Sequence, residues 1–87
     1  MNKLDELRDE IDKLDTEILS LLEKRFAACK GVGEYKLENE LPILNEEREQ
    51  QVIEKILKKI KDPYYSDYIK QIFITIMDES KKLQKNL

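Results

Sequence analysis

Histidine and tryptophan are missing from this sequence, and cysteine occurs once, at Cys29. A chain with no histidine and one thiol lacks the donors of an ordinary zinc site and cannot close an internal disulfide. Glycine and proline occur only twice each, so few positions favour turns. No apolar run reaches the length of a transmembrane helix, and Met1–Leu7 does not have the make-up of a signal peptide. The expectation is a cytoplasmic protein that engages no membrane. Nor is there a surplus of one charge: 16 Lys and Arg stand against 19 Asp and Glu, a net of −3. Nucleic acid as the main partner would require a basic excess. What is there is rich in Lys, Glu, Leu and Ile and is 40% charged, the composition of an all-α chain. Its 87 residues make one domain, 1–87, with a core that is marginal alone.

The strongest pattern runs from Leu4 to Lys36. Leu4, Leu7, Ile11, Leu14, Ile18, Leu21, Arg25, Ala28, Val32 and Tyr35 alternate steps of three and four. That is an unbroken heptad, the mark of a long helix with one apolar seam. Asn2 can cap it, with Asp5 and Glu6 in its first turn. Gly31 and Gly33 weaken it, but Val32 and Tyr35 keep the phase, so the spacing predicts continuation, with glycine letting a ligand or another helix approach. Such a helix is roughly 50 Å long, against a diameter of ~30 Å for a compact domain of this size. Its own chain cannot cover it, and the simplest cover is a second copy across a two-fold axis.

Pro42 marks Glu38–Leu44 as a loop. Asn45 caps a second helix, to about Lys61, with Val52, Ile53, Ile56, Leu57 and Ile60 on its apolar face. Asp62 and Pro63 end it and can start a third, with Ser66 as a rival cap. The third helix carries Ile69, Ile72, Phe73, Ile76, Met77 and Leu83.

All three helices set polar groups on or beside an apolar face: Arg25 and Lys36, Arg48 and Glu49, Ser80 and Gln84. Buried charge is costly unless paired. Taken singly, each has a plain reading: internal pairing or snorkelling for the cations, surface charge for Arg48 and Glu49, a solvated tail for Ser80 and Gln84. Cys29 reads as a small buried hydrophobe and Asn45 as a cap. As a set they converge. Arg25 and Lys36 share a face about 16 Å apart along the axis, whereas Arg8 lies ~25 Å from Arg25. Two antiparallel copies crossing near Asp15 to Glu17 would bring Arg8 of one to Arg25 of the other. The result is two equivalent pockets rich in Arg and Lys, suited to a small polyanion. They offer no nucleophile, metal or histidine base, which leaves binding alone or a reaction driven by orientation and electrostatics.

On these residues the sequence resembles the all-helical (AroQ-type) chorismate mutases. The likeness runs through LDELRDEIDKLDTEILSLLEKR, Lys36, PILNEERE and ITIMDESKKLQ. It implies an intertwined three-helix homodimer that rearranges chorismate to prephenate with no cofactor. It also implies roles: Arg25 and the partner's Arg8 on the substrate carboxylates, Lys36 and Gln84 on the ether oxygen, Glu49 accepting from the ring hydroxyl, and Arg48 and Ser80 completing the grip. Asn45 stands where close enteric-type members carry aspartate, and Lys81 where they carry an apolar wall residue. Isochorismate–pyruvate lyase and a non-catalytic helical dimerisation or regulatory module are the alternatives. A free-standing enzyme and a domain docked on another shikimate-pathway enzyme both fit the sequence.

Overall fold

The computed structural model describes residues 2–87. Among them the chain is all helical, with three helices: α1 (Lys3–Glu38), α2 (Glu46–Lys59) and α3 (Ser66–Lys85). A short 3-10 turn, Pro63–Tyr65, leads into α3.

Asn2 caps α1, its side chain accepting from the Asp5 N–H at 2.9 Å. The helix passes Gly31 and Gly33 without interruption. It stops in a turn where the Leu41 N–H reaches the Lys36 carbonyl and the Glu40 N–H that of Leu37. That pattern needs a left-handed residue, and Glu40 supplies it at φ 55°, a position where glycine is usual. Asn45 caps α2 as its spacing predicts, accepting from the Arg48 N–H at 3.0 Å. The second helix ends two residues before the expected Lys61, because Ile60 turns to an extended conformation. Asp62 caps the 3-10 turn, and Ser66 is the first residue of α3 rather than its cap.

The middle of the structure is α3, which packs against both other helices; α1 and α2 leave a gap between them. Against α3, α1 turns Leu22, Phe26, Cys29 and Gly33, and α2 turns Val52, Ile53 and Ile56. Met77 of α3 is the buried apolar centre. Ile72, expected on the inner face, is exposed, and Ile74 takes part instead.

The heptad seam is a different face of α1. Its apolar members lie in the open, from 43% exposed at Leu7 to 63% at Leu21. The face that meets α3 repeats the seam's three-four alternation one residue later, as Leu22, Phe26, Cys29, Gly33 and Lys36. In the N-terminal half the same displaced register holds Asp5, Arg8, Asp12 and Asp15. The second face therefore exists only in the C-terminal half, and the other half of α1 projects past the bundle. The molecule measures 56 × 25 × 15 Å, with a radius of gyration of 16.3 Å. A compact chain of this length would have about 12 Å. No helix among the described residues is long and apolar enough to cross a membrane.

Candidate active site

The gap between α1 and α2 is a pocket with α3 as its floor. From α1 come Arg25 and Lys36, with Cys29 and Val32 between them. From the start of α2 come Asn45, Arg48, Glu49 and Val52, and from α3 Met77, Ser80, Lys81 and Gln84. Arg8 is not among them; it lies exposed on the projecting half of α1. So Arg25, Lys36, Asn45, Arg48, Glu49, Ser80 and Gln84 meet in one place, although the sequence spreads them over 60 positions. The cavity holds about 180 Å³, less than the ~300–1,000 Å³ of a complete small-molecule site.

Hydrogen bonds fix most of these side chains. The Arg25 Nη1 donates to Ser80 Oγ at 2.8 Å and to Cys29 Sγ at 3.5 Å. This leaves Nε and Nη2 as a two-pronged donor for a carboxylate. Ser80 Oγ in turn donates a hydrogen bond to the Ile76 carbonyl at 2.7 Å. It is buried, not part of a solvated tail, and acts as a post for Arg25. Gln84 Nε2 donates to the Cys29 carbonyl at 2.9 Å, which leaves the second amide N–H for a ligand. Lys36 Nζ donates to the Ile43 carbonyl at 3.1 Å, tying α1 to the loop before α2 and leaving two ammonium protons.

Gly33 explains how Gln84 reaches the backbone of α1. A Cβ on Gly33 would stand 2.9 Å from Gln84 Cγ and 2.7 Å from Leu87 Cδ1, whereas one on Gly31 meets nothing within 4 Å. Only the second glycine is there for close approach.

Lys81 is the participant the sequence reading placed as a departure rather than in the site. Its Nζ lies 2.9 Å from Glu49 Oε1 and 3.4 Å from Asp78 Oδ1. The hydrogen bond to Glu49 raises the ammonium above the ordinary lysine value; burial opposes this, and the charges of Glu49 and Asp78 add to it. Two carbonyls, those of Cys29 and Ile43, were also out of reach of sequence reasoning, since no side-chain type signals them.

Electrostatically the pocket is a cationic cleft. Arg25, Lys36, Arg48 and Lys81 surround one carboxylate, Glu49. Several donors converge on a small volume with no thiolate–histidine or hydroxyl–histidine pair. Such a cleft can bind an anion, hold it in one conformation and stabilise developing negative charge.

A family model described as chorismate mutase type II matches residues 7–85. The chain is 42% identical over 79 residues to the bifunctional chorismate mutase/prephenate dehydratase of Aquifex aeolicus, covering 91% of this chain and 22% of that protein. It is 35% identical to the chorismate mutase of Methanocaldococcus jannaschii, covering 98% of this chain and 87% of that one. Among solved structures, chorismate mutase (form II) from Thermus thermophilus superposes with a TM-score of 0.91 at 26% identity, over 97% of this chain and 96% of that one. The chain therefore spans about a fifth of the Aquifex relative and most of the Methanocaldococcus one.

Proposed function

The chain belongs to the chorismate mutase type II family, and from that we propose that it rearranges chorismate to prephenate in aromatic amino-acid biosynthesis, acting in the cytoplasm. The observation that carries this reading is the convergence of Arg25, Lys36, Arg48, Glu49, Ser80 and Gln84 on one pocket. The reaction needs no proton transfer and no covalent intermediate. It needs a flexible dianion held compact against the repulsion of its own carboxylates, and donors where the ether oxygen gains charge as its C–O bond breaks.

In this reading the free edge of the Arg25 guanidinium takes one carboxylate, and Arg8 of the partner subunit takes the other. Lys36 and the second N–H of Gln84 face the ether oxygen and bind it more tightly as charge builds. Glu49 accepts from the ring hydroxyl. Asn45 commits one lone pair of its oxygen to the cap of α2, so its two free N–H groups are the donors it offers this end of the substrate. Arg48 and Ser80 complete the enclosure, Ser80 through Arg25.

A homodimer with shared sites belongs to the same proposal. The chain exposes 7435 Å², roughly 2,000 Å² more than the ~5,400 Å² expected of a compact monomer of its mass. The excess is of the size an obligate dimer buries on each subunit, and the open seam of α1 is apolar. The Aquifex relative's name joins the mutase to a prephenate dehydratase, so an enzyme that consumes prephenate is the partner we would test for docking.

The experiment is turnover by the purified chain without added cofactor. Chorismate should yield prephenate. Pyruvate release from isochorismate as the main activity would make the protein a lyase of the same fold, and no turnover of either would leave a non-catalytic module.

A further inference from the structure

Glu49 is placed awkwardly for an acceptor. It is the one carboxylate lining a pocket with three cations meant for the substrate: Arg25 and Lys36 from α1 and Arg48 from its own helix. A loose carboxylate there would fold onto one of them. It would then occupy a donor that the dianion needs and add a repelling charge to its path. Lys81 approaches from the floor of the pocket, on α3. It takes Oε1 at 2.9 Å, and both side chains are 29% exposed, half sheltered at the rim. Asp78, one turn back on α3, steadies the ammonium at 3.4 Å and faces solvent more fully. Beyond Glu49, away from the pocket, Lys70 of α3 lines the adjoining groove.

We infer that Lys81 is a positioning residue of this site: it holds Glu49 against α3 by one oxygen, so that the other serves as acceptor and Arg25, Lys36 and Arg48 stay free for the substrate. The inference rests on the mutase reading and specifies how the hydroxyl end of that site is built. It also accounts for a lysine among pocket-lining residues without giving it a bond to substrate. Glu49 holds Lys81 charged to above the ordinary lysine range, so alkali releases the tether only beyond that range.

The test is a double-mutant cycle on the full chain with Lys81→Met, Glu49→Gln and the pair. It is read as kcat and KM for chorismate and as the calorimetric Kd for prephenate, which serves even where turnover is too slow to follow. Lys81→Met should raise KM and Kd about tenfold, the worth of one charge-assisted contact, with a smaller change in kcat. In the Glu49→Gln background the same change should cost less than about twofold, because the group it controls is no longer an anion. Lys81→Arg should restore binding to within about threefold, since a guanidinium can make the same contact. Equal losses in both backgrounds would mean that Lys81 meets the ligand itself, and no loss in the native background would mean a surface ion pair only; either overturns the inference while leaving the mutase intact. A native chain that neither turns over chorismate nor binds prephenate would overturn the mutase reading and this inference with it.

Discussion

At the residue scale, three side chains of the candidate site hold the frame and keep donors to spare. Gln84 binds α1 with one N–H and keeps the other, and Lys36 and Arg25 likewise hold the frame with part of their donor set. This makes Gln84 a sharp place to test the reaction. A neutral amide donates at any pH, whereas a glutamate there could donate only when protonated, and a free glutamate ionises near pH ~4.3. Ionised, it would face the developing negative charge and lose its bond to the Cys29 carbonyl. Gln84→Glu should therefore lower kcat/KM by more than about a hundredfold at neutral pH and regain part of it on acidification. A rate unchanged at all pH values would remove Gln84 from the chemistry. The Lys81 tether makes a second pH prediction. Its raised ammonium value sets the alkaline limit: the lysine's contribution is fully present below the unfolded lysine value, near ~10.4, and is lost as pH climbs through the higher folded value. The ratio of KM in Lys81→Met to KM in the native chain should accordingly be constant from about pH 6 to pH 9. A ratio that drifted within that span would tie the effect to some other group.

At the scale of the element, the sequence was legible to a large degree and failed for identifiable reasons. The heptad, the caps at Asn2 and Asn45 and the breaks at Pro42 and at Asp62 and Pro63 each rest on local chemistry, and three helices follow from them. The polar set stood out because each member sat on or beside an apolar face. What spacing could not say was which face of α1 its own chain covers. The seam and the inner face run side by side from Leu21 onward, and only packing tells them apart. The bonds to the Cys29 and Ile43 carbonyls were invisible for a similar reason, since every residue has a carbonyl. The two glycines now separate. Gly31→Ala adds a helix-favouring methyl in open space and should raise stability by roughly 0.5–1 kcal/mol with activity unchanged. Gly33→Ala gains the same propensity but drives a methyl against Gln84 and Leu87, so the end of α3 must shift. Its stability should change little, while kcat/KM falls about tenfold or more as Gln84 leaves its place. Thermal melts and steady-state kinetics on the two variants check this. Equal activity in both would mean that the close approach at Gly33 does not position Gln84.

At the scale of the whole molecule, the proposed site needs a second chain, because it includes Arg8. Arg8 lies on the same unbroken helix as Arg25, seventeen residues earlier, a rise of ~25 Å, and no side chain closes that distance. Meanwhile the N-terminal half of α1 carries an apolar seam with nothing on it. Both facts have one resolution if two copies pair along their seams in antiparallel fashion, with Arg8 of each reaching the pocket of the other. Sedimentation at low micromolar concentration should then find dimers, because a surface of that apolar extent does not stay open in water. The more searching test is complementation. Arg8→Ala and Arg25→Ala homodimers should each be inactive, since every site in them lacks one guanidinium. After exchange of subunits, a mixed dimer has one site missing both groups and one missing neither. A statistical mixture of equal parts is about half mixed dimers, each with one working site of two, so activity should return to about a quarter of the native value. No recovery, with exchange confirmed by a tagged subunit, would mean that each pocket draws Arg8 from its own chain or not at all, and the shared site would have to be abandoned.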